Sequence, residues 1–384
     1  MRTFIHLFCM AGVYIHIPFC RKFCNYCDFY KITALGYKDD YIEAVLKEIE
    51  MRKDYVNEPI QTIYFGGGTP SLFSSQDLYR IIDKIYKYFS VNQKIEATIE
   101  VNPDDVSREY LSSLREIGLN RISMGVQSWN NRDLKLMNRR HDEKKAEEAL
   151  KDTMDFFDNI SVDLIYGVPG MSIEEWKNNL IKTLSFDIQH ISAYSLIVEP
   201  GTAFYKMRLS GKIKEAEEEL FIRQYELLKD MSEEHGFLHY EISNFAKQDY
   251  YSVHNSNYWK QVPYLGLGPS AHSFNGYSRQ WNVSDVNTYI SEIKKGGLSF
   301  EKEYLSEKTR YNEYIMTSLR TMWGIDLEKL ELMFGKEMHD YVVSVSEKYK
   351  QYGMMTKRED HLILTNQGIM ISDNIISEFM LEDV

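Results

Sequence analysis

Residues 13–27 read Val13-Tyr14-Ile15-His16-Ile17-Pro18-Phe19-Cys20-Arg21-Lys22-Phe23-Cys24-Asn25-Tyr26-Cys27, a short apolar strand running directly into three cysteines spaced CxxxCxxC. Three of the chain's four cysteines fall in the last eight of these residues. A closed zinc site takes four ligands, whereas an iron–sulfur cubane held by three thiolates keeps one iron open to an exchangeable ligand. The competing readings are a structural zinc knot completed by His16 or Asp28, and cysteines that merely pack.

At 384 residues the chain has room for a large barrel with appendages. Its 45 basic and 57 acidic residues leave a net charge of −12, which argues against nonspecific binding to nucleic acid or an anionic membrane as the main activity. Arg2 precedes an apolar stretch in the manner of a secretory signal. That stretch continues as a strand into the cysteines, however, and Met10-Ala11-Gly12 offers an alternative translation start. Residues 1–11 are therefore expected to be an extension outside the fold, with Cys9 incidental. No run of 18 apolar residues suggests a membrane span. Three reactive thiolates need a reducing compartment, so the expected location is the cytoplasm.

From residue 13 to 196 short strands rich in β-branched and aromatic residues alternate with amphipathic helices, which predicts an α/β fold with a parallel sheet. Six βα units are expected, with strands near 13–17, 62–65, 97–101, 121–125, 161–165 and 191–196. After the second strand Leu78, Ile81, Ile82, Ile85, Tyr86 and Phe89 make one apolar stripe. Ser172 and Glu175 suit a capping box. Beyond Pro200 the pattern predicts a charged helix over 216–235, a strand over 238–246 and a glycine- and aromatic-rich loop over 253–273. From 306 onward it predicts two or three helices, a strand at 361–365, a turn at 366–368 and a last helix, as in a small winged-helix-type module. Residues 301–384 carry 10 Lys/Arg against 16 Asp/Glu, which disfavours DNA and favours a lid or docking role. The expected division is a barrel over 12–235, an accessory segment over 236–305 and the C-terminal module over 306–384.

In a parallel barrel the C-terminal ends of the strands face the site. The second strand ends in Gly66-Gly67-Gly68-Thr69-Pro70, whose absent side chains allow close approach of backbone to a ligand. The third puts Thr98, Glu100 and Asn102 on one face, and a carboxylate inside a barrel needs a polar partner. The fourth strand runs into Gln127, with Arg139 on the next helix, and the fifth carries Asp163. Singly, each suits a structural ion pair. Together with the cysteines they resemble the radical S-adenosylmethionine (SAM) enzymes and, position by position, their coproporphyrinogen dehydrogenase-like branch, from residue 13 through the C-terminal module.

That resemblance implies a partial (β/α)6 barrel with an α+β winged-helix-like appendage, and a [4Fe–4S] cluster on Cys20, Cys24 and Cys27 whose unique iron is chelated by SAM. It implies that Gly67, Gly68 and Thr69 grip the SAM amino group, and that Tyr14, Tyr26, Glu100, Gln127, Arg139 and Asp163 contact SAM and a second ligand. In the family the reduced cluster releases a 5′-deoxyadenosyl radical, which requires an electron donor. Oxygen-independent coproporphyrinogen III dehydrogenases carry a further cysteine two positions after the third and a long N-terminal arm. Here Phe29 stands at that position, and nineteen residues precede Cys20. His254-Asn255-Ser256-Asn257-Tyr258-Trp259 reads HNxxYW, which distinguishes the heme chaperones of the branch. The resemblance thus implies binding of heme and its delivery to acceptor proteins, membrane-bound ones reached by peripheral contact among them, with no nucleic-acid partner. A neutral His254 could ligate heme iron while Tyr258 and Trp259 stack on the macrocycle, although a lone loop histidine is more often simply hydrogen-bonded. The rival function is radical decarboxylation of coproporphyrinogen propionates.

Overall fold

Strands β1 (Ala11–Ile17), β2 (Ile60–Gly67), β3 (Val91–Val101), β4 (Arg121–Gln127), β5 (Ile160–Tyr166) and β6 (His190–Ser195) pair in parallel in chain order. The computed structural model describes residues 10–381; Cys9 lies outside the described residues, and Ala11, expected in an extension outside the fold, is instead the buried first residue of β1, its N–H on the Pro59 carbonyl at 2.9 Å. Alternation sorts the side chains of the six strands into two sets. Val13, Ile15, Ile63, Phe65, Ile99 and Ile122, with their equivalents on β5 and β6, join the helices in one continuous apolar core. The other set, at Thr62, Glu96, Thr98, Arg121, Ser161 and His190, is polar and points into the barrel. The apolar effort of folding is thus spent outside, between sheet and helices, and the lumen is left free for polar chemistry.

Helix Ser75–Tyr88 shows how the outer layer is built. Leu78, Ile81, Ile82 and Ile85 are buried, and a capping box between Ser74 and Asp77 starts the helix. Tyr86, expected in the same stripe, is exposed, because it sits one residue and so about 100° beyond Ile85. The box between Ser172 and Glu175 is present with both of its hydrogen bonds.

The sheet continues past the six parallel strands on both edges. The stretch expected as one strand over 238–246 is a hairpin, β7 (Leu238–Glu241) and β8 (Asn244–Ala246), with β8 antiparallel to β6. The stretch expected as a loop over 253–273 holds helix Val253–Trp259, β9 (Tyr264–Leu267) parallel to β1, and β10 (His272–Phe274); β11 (Ser278–Asn282) and β12 (Phe300–Tyr304) follow. These elements depend on partners distant in sequence. The carboxylate of Glu96 accepts the N–H groups of Val253 and His254, both at 2.9 Å, and so begins the short helix. The order β12-β11-β10-β9-β1-β2-β3-β4-β5-β6-β8-β7 is linear, so the barrel stays open.

Buried Glu48 stitches the added strands to helix Lys38–Met51. It pairs with Arg52 at 3.2 Å and accepts hydrogen bonds from Tyr289 (2.6 Å), Asn282 (2.7 Å) and the Gly268 N–H (2.9 Å). Arg52 in turn bonds the Gly266 carbonyl and Ser273.

Helices Glu307–Leu319, Leu327–Phe334 and Lys336–Gln351 join β13 (Ile325–Asp326), β14 (Met355–Arg358) and β15 (His361–Leu364) in a winged-helix-like module with its own core around Ile315, Leu330, Val342 and Leu362. The expected turn at 366–368 is instead helix Asn366–Met370, capped by Thr365. The module meets the barrel through Arg279–Glu313 (2.9 Å), the Met322 N–H on the Tyr240 carbonyl (3.0 Å), and Lys260 over the Trp323 ring. No helix among the described residues is long and apolar enough to cross a membrane.

Candidate cofactor site

β1 delivers Cys20 to the barrel rim, where Cys20 and Ile32 exchange backbone bonds with their surroundings: Cys20 N–H to the Ile32 carbonyl (2.8 Å) and Ile32 N–H to Pro18 (2.7 Å). The loop is pinned across the rim by Asn25 to Leu136 and by Asn138 to the Phe23 carbonyl, both 2.7 Å. Cys20 is buried, Cys24 and Cys27 are half-buried, and all three are free thiols. Burial pushes the Cys20 and Cys27 thiols up, so metal loading must release protons. Among the described residues no three His, Cys, Asp or Glu side chains converge on a single ion, and His16 is bound at both ring nitrogens, to the Tyr14 hydroxyl (3.0 Å) and the Tyr30 carbonyl (3.2 Å). His16 therefore has no free nitrogen with which to complete a zinc knot. Three free thiols on one loop at the rim are the donor set that a polynuclear iron–sulfur cluster takes.

A chain of polar contacts links Cys20 to Cys24. Thr69 Oγ1 donates to Cys20 Sγ at 3.4 Å and accepts from Asn102 Nδ2 at 3.2 Å. Arg139 donates to Asn102 Oδ1 (2.5 Å), the Gly125 carbonyl (2.7 Å) and Cys24 Sγ (3.4 Å), and its Nη1 lies 3.5 Å from the Tyr26 hydroxyl. Its Nε is buried with no partner, a donor left over beside the thiols. Arg139 is not on a helix as expected: it follows helix Asn131–Leu136 after Asn138, whose φ of 62° turns the chain back toward the rim. A cation held against thiolates suits a negatively charged cluster and an anionic ligand group alike.

The glycines fit protein against protein. A Cβ on Gly67, at φ 107°, would stand 2.6 Å from His16 Nδ1, and one on Gly68 would stand 2.8 Å from the Ile17 and Phe19 carbonyls. Gly67 N–H donates to Glu100 Oε2 at 3.1 Å, while Tyr64 donates to Oε1 at 3.0 Å. Burial, reinforced by the charge of Asp163, lifts Glu100 to about 7. Asp163 accepts from Ser123 (3.0 Å) and Ser161 (3.3 Å), and burial lifts it to about 6. Tyr14 lies beside Glu100, since a Cβ on Gly66 would touch both at 3.0 Å. Gln127 ends β4 at φ 69° and folds back over Gly125.

The structure thus gathers Cys20, Cys24, Cys27, Tyr26, Thr69 and Arg139 at the rim and Tyr14, Gly67, Glu100 and Asp163 just inside it. His254 is elsewhere. It bonds Thr62, five residues before Gly67 on β2, which is about 16 Å toward the opposite end of the barrel. Its Nδ1 meets Thr62 Oγ1 at 2.7 Å and its Nε2 meets the Tyr258 hydroxyl at 2.8 Å. An iron ligand needs one free ring nitrogen, and here neither is free. Burial lowers its pKa to about 3, so the ring is neutral.

Asn102, Tyr64 and Arg121 were not anticipated as site residues. Asn102 is read from sequence onto the Glu100 face of its strand but without a role, which its bonds to Thr69 and Arg139 now supply. Arg121 is 1% exposed, with Nε unpaired, and its positive charge acts on Glu100, Asp163 and Tyr64.

Comparison with known proteins follows the same division. A family model described as the radical SAM superfamily matches residues 14–180, and one described as the HemN C-terminal domain matches residues 305–371. The heme chaperone HemW of Bacillus subtilis is 33% identical over 378 residues, covering 97% of this chain and 100% of that protein. The heme chaperone HemW of Lactococcus lactis is 33% identical over 376 residues, covering 97% and 98%. The structure of the radical SAM enzyme coproporphyrinogen III oxidase (HemN) from Escherichia coli superposes with a TM-score of 0.83 at 24% identity, covering 97% of this chain and 90% of that one. This last likeness is one of fold.

Proposed function

Because the chain belongs to the HemW family of radical SAM proteins, we propose that it is a heme chaperone that binds a [4Fe–4S] cluster, SAM and heme and passes heme to acceptor proteins. The observation that carries this reading is the similarity to heme chaperones along 97% of the chain, barrel and C-terminal module together. Membership of the superfamily brings with it the cluster and SAM.

Cys20, Cys24 and Cys27 would hold three irons of the cluster, which when bound and reduced supplies single electrons to the SAM sulfonium. The chain's own residues prepare that site. Arg139 offers positive charge at Cys24, and Thr69 an O–H at Cys20. Glu100, Tyr14 and Asp163 line the lumen directly inside the rim, and with its proton held to about pH 7 Glu100 can accept or donate to a ligand hydroxyl near neutrality. Gln127 closes the β4 side.

Heme needs a broad apolar seat. A groove of about 620 Å³ opens between the rim beyond β6, helix Glu218–Glu234 and the C-terminal module, with Leu196, Ile197, Phe221, Ile222 and Ile369 on its apolar walls and Arg208, Glu215 and Glu218 as charged groups in its lining, within the size range of small-molecule sites. The reading puts the macrocycle there and makes the C-terminal module its cover. It also entails an electron donor where SAM is cleaved, peripheral contact with membrane-bound acceptors, and a reducing, cytoplasmic setting for the thiolates.

The rival, oxidative decarboxylation of coproporphyrinogen, draws on the likeness of fold to the oxidase. Against it stands Phe29, 65% exposed, where those enzymes carry a further cysteine. Heme-loaded protein mixed with an apo-hemoprotein tests the chaperone reading. Transfer of the Soret band to the acceptor faster than from an inert heme carrier is the expected result, and transfer at the carrier's rate would refute it.

A further inference from the structure

Helix Val253–Trp259, which carries HNxxYW, closes the end of the barrel opposite the cysteines. Glu96 on β3 holds its first two N–H groups, and Ser252 caps it. His254 fills the floor without slack: a Cβ on Gly12 of β1 would stand 2.8 Å from Thr62 Oγ1 and 3.4 Å from His254 Nδ1. The imidazole is fixed at both nitrogens and stacks on the Tyr64 ring, with centroids 4.9 Å apart and planes 22° from parallel. On its other edge Tyr64 is hemmed by β2, since a Cβ on Gly66 would stand 2.9 Å from its ring. The Tyr64 hydroxyl then donates to Glu100, which also receives the Gly67 N–H at the rim. Contacts therefore run unbroken from the HNxxYW helix through His254, Tyr64 and Glu100 to the glycine motif.

We propose that His254 is a positioning residue for the SAM face of the barrel: by clamping the Tyr64 ring it fixes Glu100, and it does not ligate heme iron. This rests on the reading that Glu100 faces SAM. Tyr64 makes the closer ring contact with His254 and is the ring that hydrogen-bonds Glu100, while Tyr14, its centroid 6.3 Å from that of His254, flanks the same carboxylate. Loss of the imidazole frees that ring to tilt, and Glu100 then loses a hydrogen bond made to a carboxylate.

The test uses the full chain, anaerobically reconstituted, with SAM binding followed by calorimetry and by the change SAM produces in the electron paramagnetic resonance spectrum of the reduced cluster. His254→Ala and Tyr64→Phe should each weaken SAM by about tenfold, the loss expected for one hydrogen bond to a charged group, and the double variant should be no weaker than the worse single one. His254→Phe, which keeps a ring on Tyr64 without the polar bonds, should recover SAM affinity while remaining less stable than wild type. Heme stoichiometry and the Soret maximum should not change in any of them. Wild-type SAM affinity and spectrum in folded His254→Ala would overturn the proposal, as would additive losses in the double variant. An altered Soret band with normal SAM binding would return His254 to heme. If His254→Ala does not fold, His254→Phe and Tyr64→Phe decide between the same outcomes. Failure of the wild-type protein to bind SAM would instead sink the SAM reading of the site itself.

Discussion

Cys24 and Glu100 are the residues at which the cofactor site is most exposed to test. Cys24 is the thiol held by Arg139, and Cys24→Ala should leave the reconstituted protein without its cluster. Iron and sulfide analysis reads this, and retention at wild-type level contradicts the three-thiolate ligation. For Glu100 the sign follows from burial. Its folded pKa, about 7 against an ordinary 4.5, means that the folded state holds a proton the unfolded chain has released. Stability from this group is therefore full below about pH 4.5 and is lost as pH rises toward 7, by about 3 kcal/mol in all. Glu100→Gln lacks this loss, so the stability of the variant relative to wild type should climb between about pH 5 and pH 8 in urea unfolding of the SAM-free protein. A gap that does not change with pH would place Glu100 in a solvated setting. That the three cysteines share one loop and that Glu100 faces the lumen was legible in sequence, since cysteine spacing and strand alternation are local patterns. The bonds of His254 were not, because Thr62 and Tyr64 reach it from 192 and 190 positions away in the chain.

Elements whose pattern is local were legible in the same way. All six parallel strands lie where β-branched runs alternate with helical stripes, because each strand must put one apolar face against a helix. Those that draw their stability from distant partners were misread. Helix Val253–Trp259 depends on Glu96 for its first turn, and β9 to β11 depend on the buried Glu48–Arg52 pair to hold their turns against helix Lys38–Met51. Glu48 itself looks like any surface position of a charged helix. Removing it leaves Arg52 buried without its ion-pair partner, so Glu48→Ala should lower stability by roughly 3–5 kcal/mol. The urea midpoint measures this; a variant as stable as wild type would show that the added strands hold to the barrel by apolar packing alone.

For the whole molecule, the apolar exterior of the barrel and its polar lumen separate folding from function, and the sheet's open order leaves the groove beside β6 for the C-terminal module to cover. Ile222→Glu places a charge in that groove, away from the thiols and the lumen carboxylates. It should weaken heme by roughly tenfold, about the loss of one isoleucine's apolar contact at ~1.5 kcal/mol, with SAM binding unchanged. Equal heme affinity, measured by optical titration, would move the macrocycle elsewhere. The central claim, that this chain carries heme and does not make its precursor, meets its most direct test in one anaerobic incubation. Cluster-loaded protein is given SAM, a reductant and coproporphyrinogen III, and a parallel sample is titrated with heme. The expected result is one heme bound per chain and no turnover of coproporphyrinogen; sustained formation of protoporphyrinogen IX would contradict it.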